Sequence, residues 1–187
     1  MAYLNNEQLL KIGFKEIGED VKVSDKTSIY NPHLISLGSN IRIDDFCILS
    51  AGSNITIGNY VHIAPYSSFI GKGEILIENF VSISGRVSLY SSTDDYMGLG
   101  MTNPLISDKF RRETSGKIYL KKHVIIGAGS VIMPNVVMET GSAVSALTLV
   151  VKNCDAFTIY RGIPGIEIGK RKQKILELEK EFYAAEN

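Results

Sequence analysis

Three histidines, His33, His62 and His123, are the side chains of this 187-residue chain whose ordinary pKa lies near neutrality. Each is a candidate general base, able to take a proton from a hydroxyl or an amine. Asp94 and Asp95 stand side by side in an irregular stretch. A carboxylate behind an imidazole holds one ring nitrogen protonated and raises the basicity of the other. Plainer readings exist for all of them. A lone histidine at a chain corner is often a polar surface residue, His33 follows Pro32 far from that stretch, and paired aspartates also make turns.

What must position these side chains is a repeat. Ile17, Val23 and Ile29 open three successive six-residue units, and the set restarts 20 residues on at Leu37, Ile43 and Leu49. It continues through Ile57, Ile63 and Phe69, then Ile77, Ile83 and Leu89. After an interruption it resumes at Leu120, Ile126 and Ile132 and repeats 18 residues later at Met138, Val144 and Val150. Internal periods of this size predict a solenoid. Gly18, Gly38, Asp44, Gly58, Ala64 and Gly127 follow opening residues, where a tight corner favours a small side chain. A second apolar position four residues on, as at Val21, Ile41, Val61 and Val124, makes each unit a short strand and a corner. Three units close one triangular coil, and six coils at the strand spacing make a prism about 30 Å tall. Neither a leucine-rich ladder nor helical spacing occurs between residues 17 and 155.

The flanks read as covers for the two open ends. Residues 5–16 begin with Asn5 and Asn6, acceptable helix caps, and carry Leu9, Leu10, Ile12 and Phe14. At the other end Ile168, Ile175, Leu178 and Phe182 recur at helical spacing, behind the cations Lys170, Arg171, Lys172 and Lys174. The expected organisation over 1–187 is a single domain: a cap at 1–16, a β-helix at 17–155 and a C-terminal segment and helix at 156–187. With 20 basic and 20 acidic residues there is no bulk charge bias toward nucleic acid. No run of 18 apolar residues and no basic-then-apolar N-terminus occurs, so no membrane insertion is expected and the default location is the cytoplasm. Cys47 and Cys154 belong to the second and sixth coils, roughly 19 Å apart along the axis. They read as buried thiols, since a disulfide cannot reach that far.

The repeat breaks once, between Leu89 and Leu120, and an insertion of this length in a rigid array is where function is sought. The loop at 90–119 carries Tyr96, Met97, Met101, Pro104, Leu105 and Phe110, which are better placed against a neighbouring subunit or a ligand than in solvent. His62, last of its hexad, points outward from a prism face. His123 falls at the corner just after the loop. Both are able to line a cleft between subunits, and we favour His123 slightly as base, with Asp94 or Asp95 orienting an imidazole or gripping the substrate.

This pattern resembles the hexapeptide-repeat acyltransferases, whose fold is an all-β, left-handed parallel β-helix. Within that family it is similar to the sugar acetyltransferase branch, in which an extended loop precedes a coil like Val124–Ile132, VIIGAGSVI, and an element like Arg161–Gly165, RGIPG, lies beside the coenzyme A tail. The resemblance covers about residues 17 to 170. It implies transfer of an acetyl group from acetyl-coenzyme A to a hydroxyl or amino group of a sugar or nucleotide-linked sugar, by a homotrimer with intersubunit clefts. It implies coenzyme contacts at Gly127, Ala128, Ala146, Lys152, Gly162, Ile163 and Pro164, with Lys152, Lys170 and Arg171 as phosphate partners and an oxyanion donor among the backbone N–H groups of 127–129. In the galactoside and maltose acetyltransferases the catalytic histidine opens the loop, where this chain has Thr93, Asp94 and Asp95. An amine acceptor of low pKa would relax the need for a strong base, leaving positioning to supply most of the rate. The alternatives are a non-catalytic β-helix acting as scaffold or binding module, and a zinc carbonic anhydrase, which would need three converging histidines. The positions 33, 62 and 123 lack that family's close pair, and no metal is expected.

Overall fold

The computed structural model describes residues 3–186; residues 1, 2 and 187 of the expected domain lie outside the described residues. The chain winds into a left-handed parallel β-helix with three faces and six complete coils. The first face stacks Glu16–Ile17, Ile35–Leu37, Ile55–Ile57, Ile75–Ile77, Ile118–Leu120 and Val137–Met138. The second stacks Val21–Val23, Ile41–Ile43, Val61–Ile63, Ser82–Ile83, Ile125–Ile126 and Ala143–Val144. The third stacks Ser28–Tyr30, Ile48–Ala51, Ser68–Gly71, Ser88–Tyr90, Val131–Ile132 and Leu149–Val150. Register follows the sequence period: Ile55 pairs with Ile75, Ile75 with Ile118 across the interruption, and Leu120 with Met138.

The inward positions form one continuous core, with Val23, Ile43, Ile63, Ile83 and Ile126 fully buried in a column behind the second face. Corners are tight for a visible reason. A Cβ on Gly38 would lie 2.5 Å from Asn59 Oδ1 of the next coil and 2.8 Å from the Gly58 carbonyl carbon. That space is used by a ladder in which the Ser39 N–H donates to Asn59 and the Asn59 N–H donates to Asn79. Cys47 and Cys154 are both buried and free, and burial pushes their thiols up to about 11 and about 12.

Both ends of the second face are closed by antiparallel segments, which remove its exposed edges. Tyr3 bridges Ser24 below the first coil, next to a helix, α1 (Asn6–Ile12), capped by an Asn5–Gln8 box and ended by left-handed Gly13. Above the sixth coil, Thr158–Arg161 adds a seventh rung, and Ile166–Lys170 folds back antiparallel onto it. Ile168 therefore belongs to a strand, and the C-terminal helix, α2 (Ile175–Glu186), starts later than its helical spacing suggested. The signal for this hairpin was the Gly-Ile-Pro-Gly turn between two β-rich runs.

The loop is narrower and more ordered than 90–119. The strands of the coils stop at Tyr90 and resume at Ile118. Its base is an antiparallel pair, Ser92–Asp94 with Glu113–Ser115, in which Asp94 faces Glu113.

Candidate active site

The corner between the second and third faces repeats one three-residue geometry: Asp44-Asp45-Phe46, Ala64-Pro65-Tyr66, Ser84-Gly85-Arg86, Gly127-Ala128-Gly129 and Ser145-Ala146-Leu147. The third residue of each is left-handed, with φ of 61°, 64°, 61°, 72° and 57°. Backbone bonds lock neighbouring corners together: Gly129 N–H donates to the Gly85 carbonyl at 3.0 Å and Leu147 N–H to Ala128 at 2.8 Å. A Cβ on Gly127 would lie 2.4 Å from the Ala146 nitrogen, so only glycine fits there. Ala128 and Ala146 stand exposed above it. The Gly162–Pro164 segment runs alongside, with Gly162 accepting from Leu149 N–H at 3.0 Å and Gly165 N–H donating back to Leu149 at 2.8 Å. The structure thus gathers Gly127, Ala128, Ala146, Gly162, Ile163 and Pro164 along the upper part of one corner.

The cations assigned to phosphates do not join them. Lys152 is exposed on the turn after the third face, at a different corner. Lys170 bonds Thr158 Oγ1 at 2.9 Å and Glu167 at 2.8 Å, at the far end of the seventh rung. Arg171 donates to the carbonyls of His123 and Gly141 at 2.8 and 3.0 Å, tying down the segment before α2; burial lowers its pKa. Arg161, at the end of the seventh rung beside Gly162, is an exposed cation on the same side as these small residues.

The loop splits the two aspartates. Asp95 holds its own turn, with Oδ1 accepting from Met97 N–H at 2.8 Å and Oδ2 from Leu99 and Gly100 N–H at 2.6 and 2.8 Å. Those backbone bonds, Met97 first, lower its pKa. Asp95 is a structural residue of the loop. Asp94 lies on the wall between two clefts, of about 480 Å³ with Lys72, Arg111 and Glu113, and of about 370 Å³ with Tyr90, Tyr96 and Met133. Burial alone raises the Glu113 pKa, but bonds from Lys72 and Ser92 outweigh it and leave the carboxyl below its ordinary value.

The histidines take partners outside the loop. His62 Nε2 lies 2.8 Å from Asp44 Oδ2, and Asp44 also accepts from Arg42 Nε at 2.7 Å and Tyr3 OH at 3.1 Å. Burial raises the Asp44 pKa, and these bonds more than reverse it. The His62 ring thus reaches down toward the second coil, away from the upper corner. His123 is buried at the other edge of the second face, stacked on Phe80 at 5.1 Å, with Nε2 2.6 Å from Glu179 Oε2 of α2. Glu179 is also bonded by Lys122. Burial raises the Glu179 pKa, and the Lys122 and His123 bonds pull it below the ordinary glutamate value. Neither imidazole is oriented by Asp94 or Asp95, and His123 serves to dock the helix. His33 sits in a short turn, Pro32–Leu34, and among the described residues no three metal-ligating side chains converge.

Comparison with known proteins decides the family. The chain is 49% identical over 183 residues, 97% of its length and 95% of the relative's, to a dTDP-4-amino-4,6-dideoxy-D-glucose acyltransferase of Escherichia coli. It belongs to the hexapeptide-repeat sugar acyltransferases. No family model matches the chain. Among solved structures, the S84C mutant of AntD, an N-acyltransferase from Bacillus cereus, in complex with dTDP-4-amino-4,6-dideoxyglucose and coenzyme A superposes with a TM-score of 0.93 at 45% identity, covering 98% of this chain and 97% of that one. AntD has also been solved with dTDP and 3-hydroxybutyryl-CoA, at TM-score 0.94, 46% identity and 99% and 98% coverage. A hexapeptide-repeat acetyltransferase of Vibrio cholerae shares the fold at 18% identity, TM-score 0.58, over 88% of this chain and 75% of that one. AntD structures carry substitutions at a serine 84 and an aspartate 94, and this acyltransferase chain has Ser84 and Asp94 under the same numbers. Ser84 stands in the corner column directly below Gly127, with its N–H donating to the Ile126 carbonyl at 2.9 Å.

Proposed function

We propose that this enzyme transfers an acyl group from acyl-coenzyme A to the amino group of a dTDP-linked 4-amino-4,6-dideoxy sugar. The observation that carries this is the identity of 49% across 97% of the chain to an enzyme of that specificity. The small upper corner at Gly127, Ala128 and Ala146 fits a pantetheine arm, because exposed methyl groups and bare backbone allow close approach. The thioester then hangs toward Ser84. The Ala128 N–H bonds no carbonyl among the described residues, whereas Gly127 and Gly129 donate to Val144 and Gly85. Ala128 is thus our candidate oxyanion donor.

The amine nitrogen attacks the thioester carbonyl carbon, a C–N bond forms, the C–S bond breaks, and coenzyme A leaves as a thiol that ends with the proton lost from nitrogen. In this scheme Asp94, not a histidine, accepts a hydrogen bond from the amine and relays that proton. The loop that bears Asp94 presents it toward a second subunit of a homotrimer, so the site is shared between chains, in a cytoplasmic enzyme. Acetyl is the first acyl group to assay, with 3-hydroxybutyryl beside it. The test is thiol release from each acyl-coenzyme A with dTDP-4-amino-4,6-dideoxyglucose, against dTDP-glucose, which offers only hydroxyls. Turnover confined to the amino sugar supports N-acylation; turnover on neither, with no binding of dTDP, overturns the proposal.

A further inference from the structure

On the corner that carries Ser84, four side chains from four successive coils stack along the prism axis. Lys26 lies 5.4 Å from the centroid of Phe46, Phe46 stacks on Tyr66 at 5.1 Å, and the Arg86 guanidinium lies 4.8 Å from the Tyr66 centroid. Phe46 and Tyr66 are 46% and 51% exposed, so the stack is an outward ridge and no part of the core. Its backbone is held left-handed at Phe46, Tyr66 and Arg86, a conformation that disfavours a side chain. The same position one coil higher is Gly129, so the fold accepts glycine there.

The two ends of this stack differ in charge. Lys26 is paired with Asp45 at 3.2 Å, and Asp45 also accepts from Ser24. Asp44, the other carboxylate of the corner, is matched by Arg42 and His62. Arg86 has no carboxylate partner among the described residues, and its guanidinium carbon lies over the Tyr66 ring, 4.8 Å from the centroid.

We propose that Arg86, aimed by Tyr66 and Phe46, binds the diphosphate of the nucleotide-sugar acceptor. This rests on the reading that the acceptor is a dTDP-linked amino sugar. Arg86 is two residues from Ser84, about 7 Å of chain at most. In such a sugar the reacting amine and the anomeric phosphate sit at opposite ends of one pyranose ring, so an amine beside Ser84 brings the phosphate to Arg86. Coenzyme A also carries a diphosphate, but in the proposed pose its thiol end reaches Ser84 from the upper coils, which would put its phosphates beyond the sixth coil.

The test measures steady-state kinetics of Arg86→Gln, Arg86→Lys, Tyr66→Ala and Tyr66→Phe, with calorimetry of dTDP binding and the mass of each variant in solution. Arg86→Gln is expected to raise KM for the nucleotide sugar and Kd for dTDP by 10-fold or more, with KM for acyl-coenzyme A changed less than twofold. Arg86→Lys and Tyr66→Ala should fall between it and wild type, and Tyr66→Phe should match wild type. An unchanged KM for the nucleotide sugar, a rise in KM for acyl-coenzyme A instead, or a loss of assembly mass would each overturn the assignment. Wild-type turnover on the amino sugar, measured first, separates these results from failure of the functional reading.

Discussion

The His123 imidazole is bonded to Glu179, lies against Phe80 and sits beneath α2, so its ring is committed to packing. His123→Ala is expected to leave kcat within a few-fold while lowering stability by about 1–3 kcal/mol, the usual penalty for orphaning a buried partner. Thermal melts beside thiol-release assays check both halves. The Glu179 carboxyl has a depressed folded pKa, so its contribution is present above the unfolded glutamate pKa of about 4.3 and is lost as pH falls through the lower folded value. Protection factors of α2, which remove the intrinsic pH dependence of exchange, should therefore fall as pH drops below the unfolded glutamate value in wild type, and Glu179→Gln should show lowered protection at neutral pH with little further acid dependence. Asp94→Asn should cut kcat/KM by about 100-fold or more with coenzyme A affinity unchanged, since in the proposed scheme it removes the group that acts at the reacting nitrogen. A kcat/KM loss of that size from His62→Ala, with Asp94→Asn near wild type, would return the base to histidine. The residue types of this site were legible in the sequence; their partners were not. Asp95 was indistinguishable from Asp94 until its oxygens were seen on the amides of Met97, Leu99 and Gly100, and Glu179 lies 56 residues from the histidine it holds.

At the scale of elements, the coils were legible because each six-residue unit states its own inward residues and corner, and the pairing partner always lies one period away. Ile75 opposite Ile118 shows that even a long insertion leaves the phase intact. The Ile166–Lys170 strand was misread because Ile168, Ile175, Leu178 and Phe182 fit a helical spacing by coincidence, while its real partner is defined by a turn. Corner chemistry is testable apart from catalysis. In Gly38→Val the new Cβ meets Asn59 Oδ1 at 2.5 Å and backbone at 2.8 Å, in a close-packed stack with nowhere to yield. A loss of about 3 kcal/mol is expected, roughly 10 °C in the melting midpoint. Gly169→Val, where a Cβ meets nothing within 4 Å, is the control and should melt within about 2 °C of wild type. Equal melts for the two would mean that the corners are looser than this packing requires.

For the whole molecule, the loop sets a problem that one chain does not solve. Tyr96, Met97 and Leu105 are 90%, 83% and 92% exposed, beside a base ordered by the Lys72, Arg111 and Glu113 ion pairs. An ordered loop that holds large apolar side chains in water gains nothing from them unless another surface covers them. Asp94 is at the root of this loop, whereas Ser84, Gly127 and Ala146 line a different edge of the prism, across the third face. A second copy offering its Ser84 corner to this loop would cover the apolar side chains and complete the site in one step. Sedimentation should then give about 62 kDa, three times the 20.6 kDa of one chain. Tyr96→Asp combined with Leu105→Asp should dissociate the assembly and remove activity together, while the coil fold persists by circular dichroism. Recovering turnover at low nucleotide-sugar concentration, where each variant alone is impaired, by mixing an Asp94→Asn protein with an Arg86→Gln protein would show directly that the two edges come from different chains. A fully active monomer would instead require both edges to serve one substrate across a single face, and would sink the shared-site arrangement.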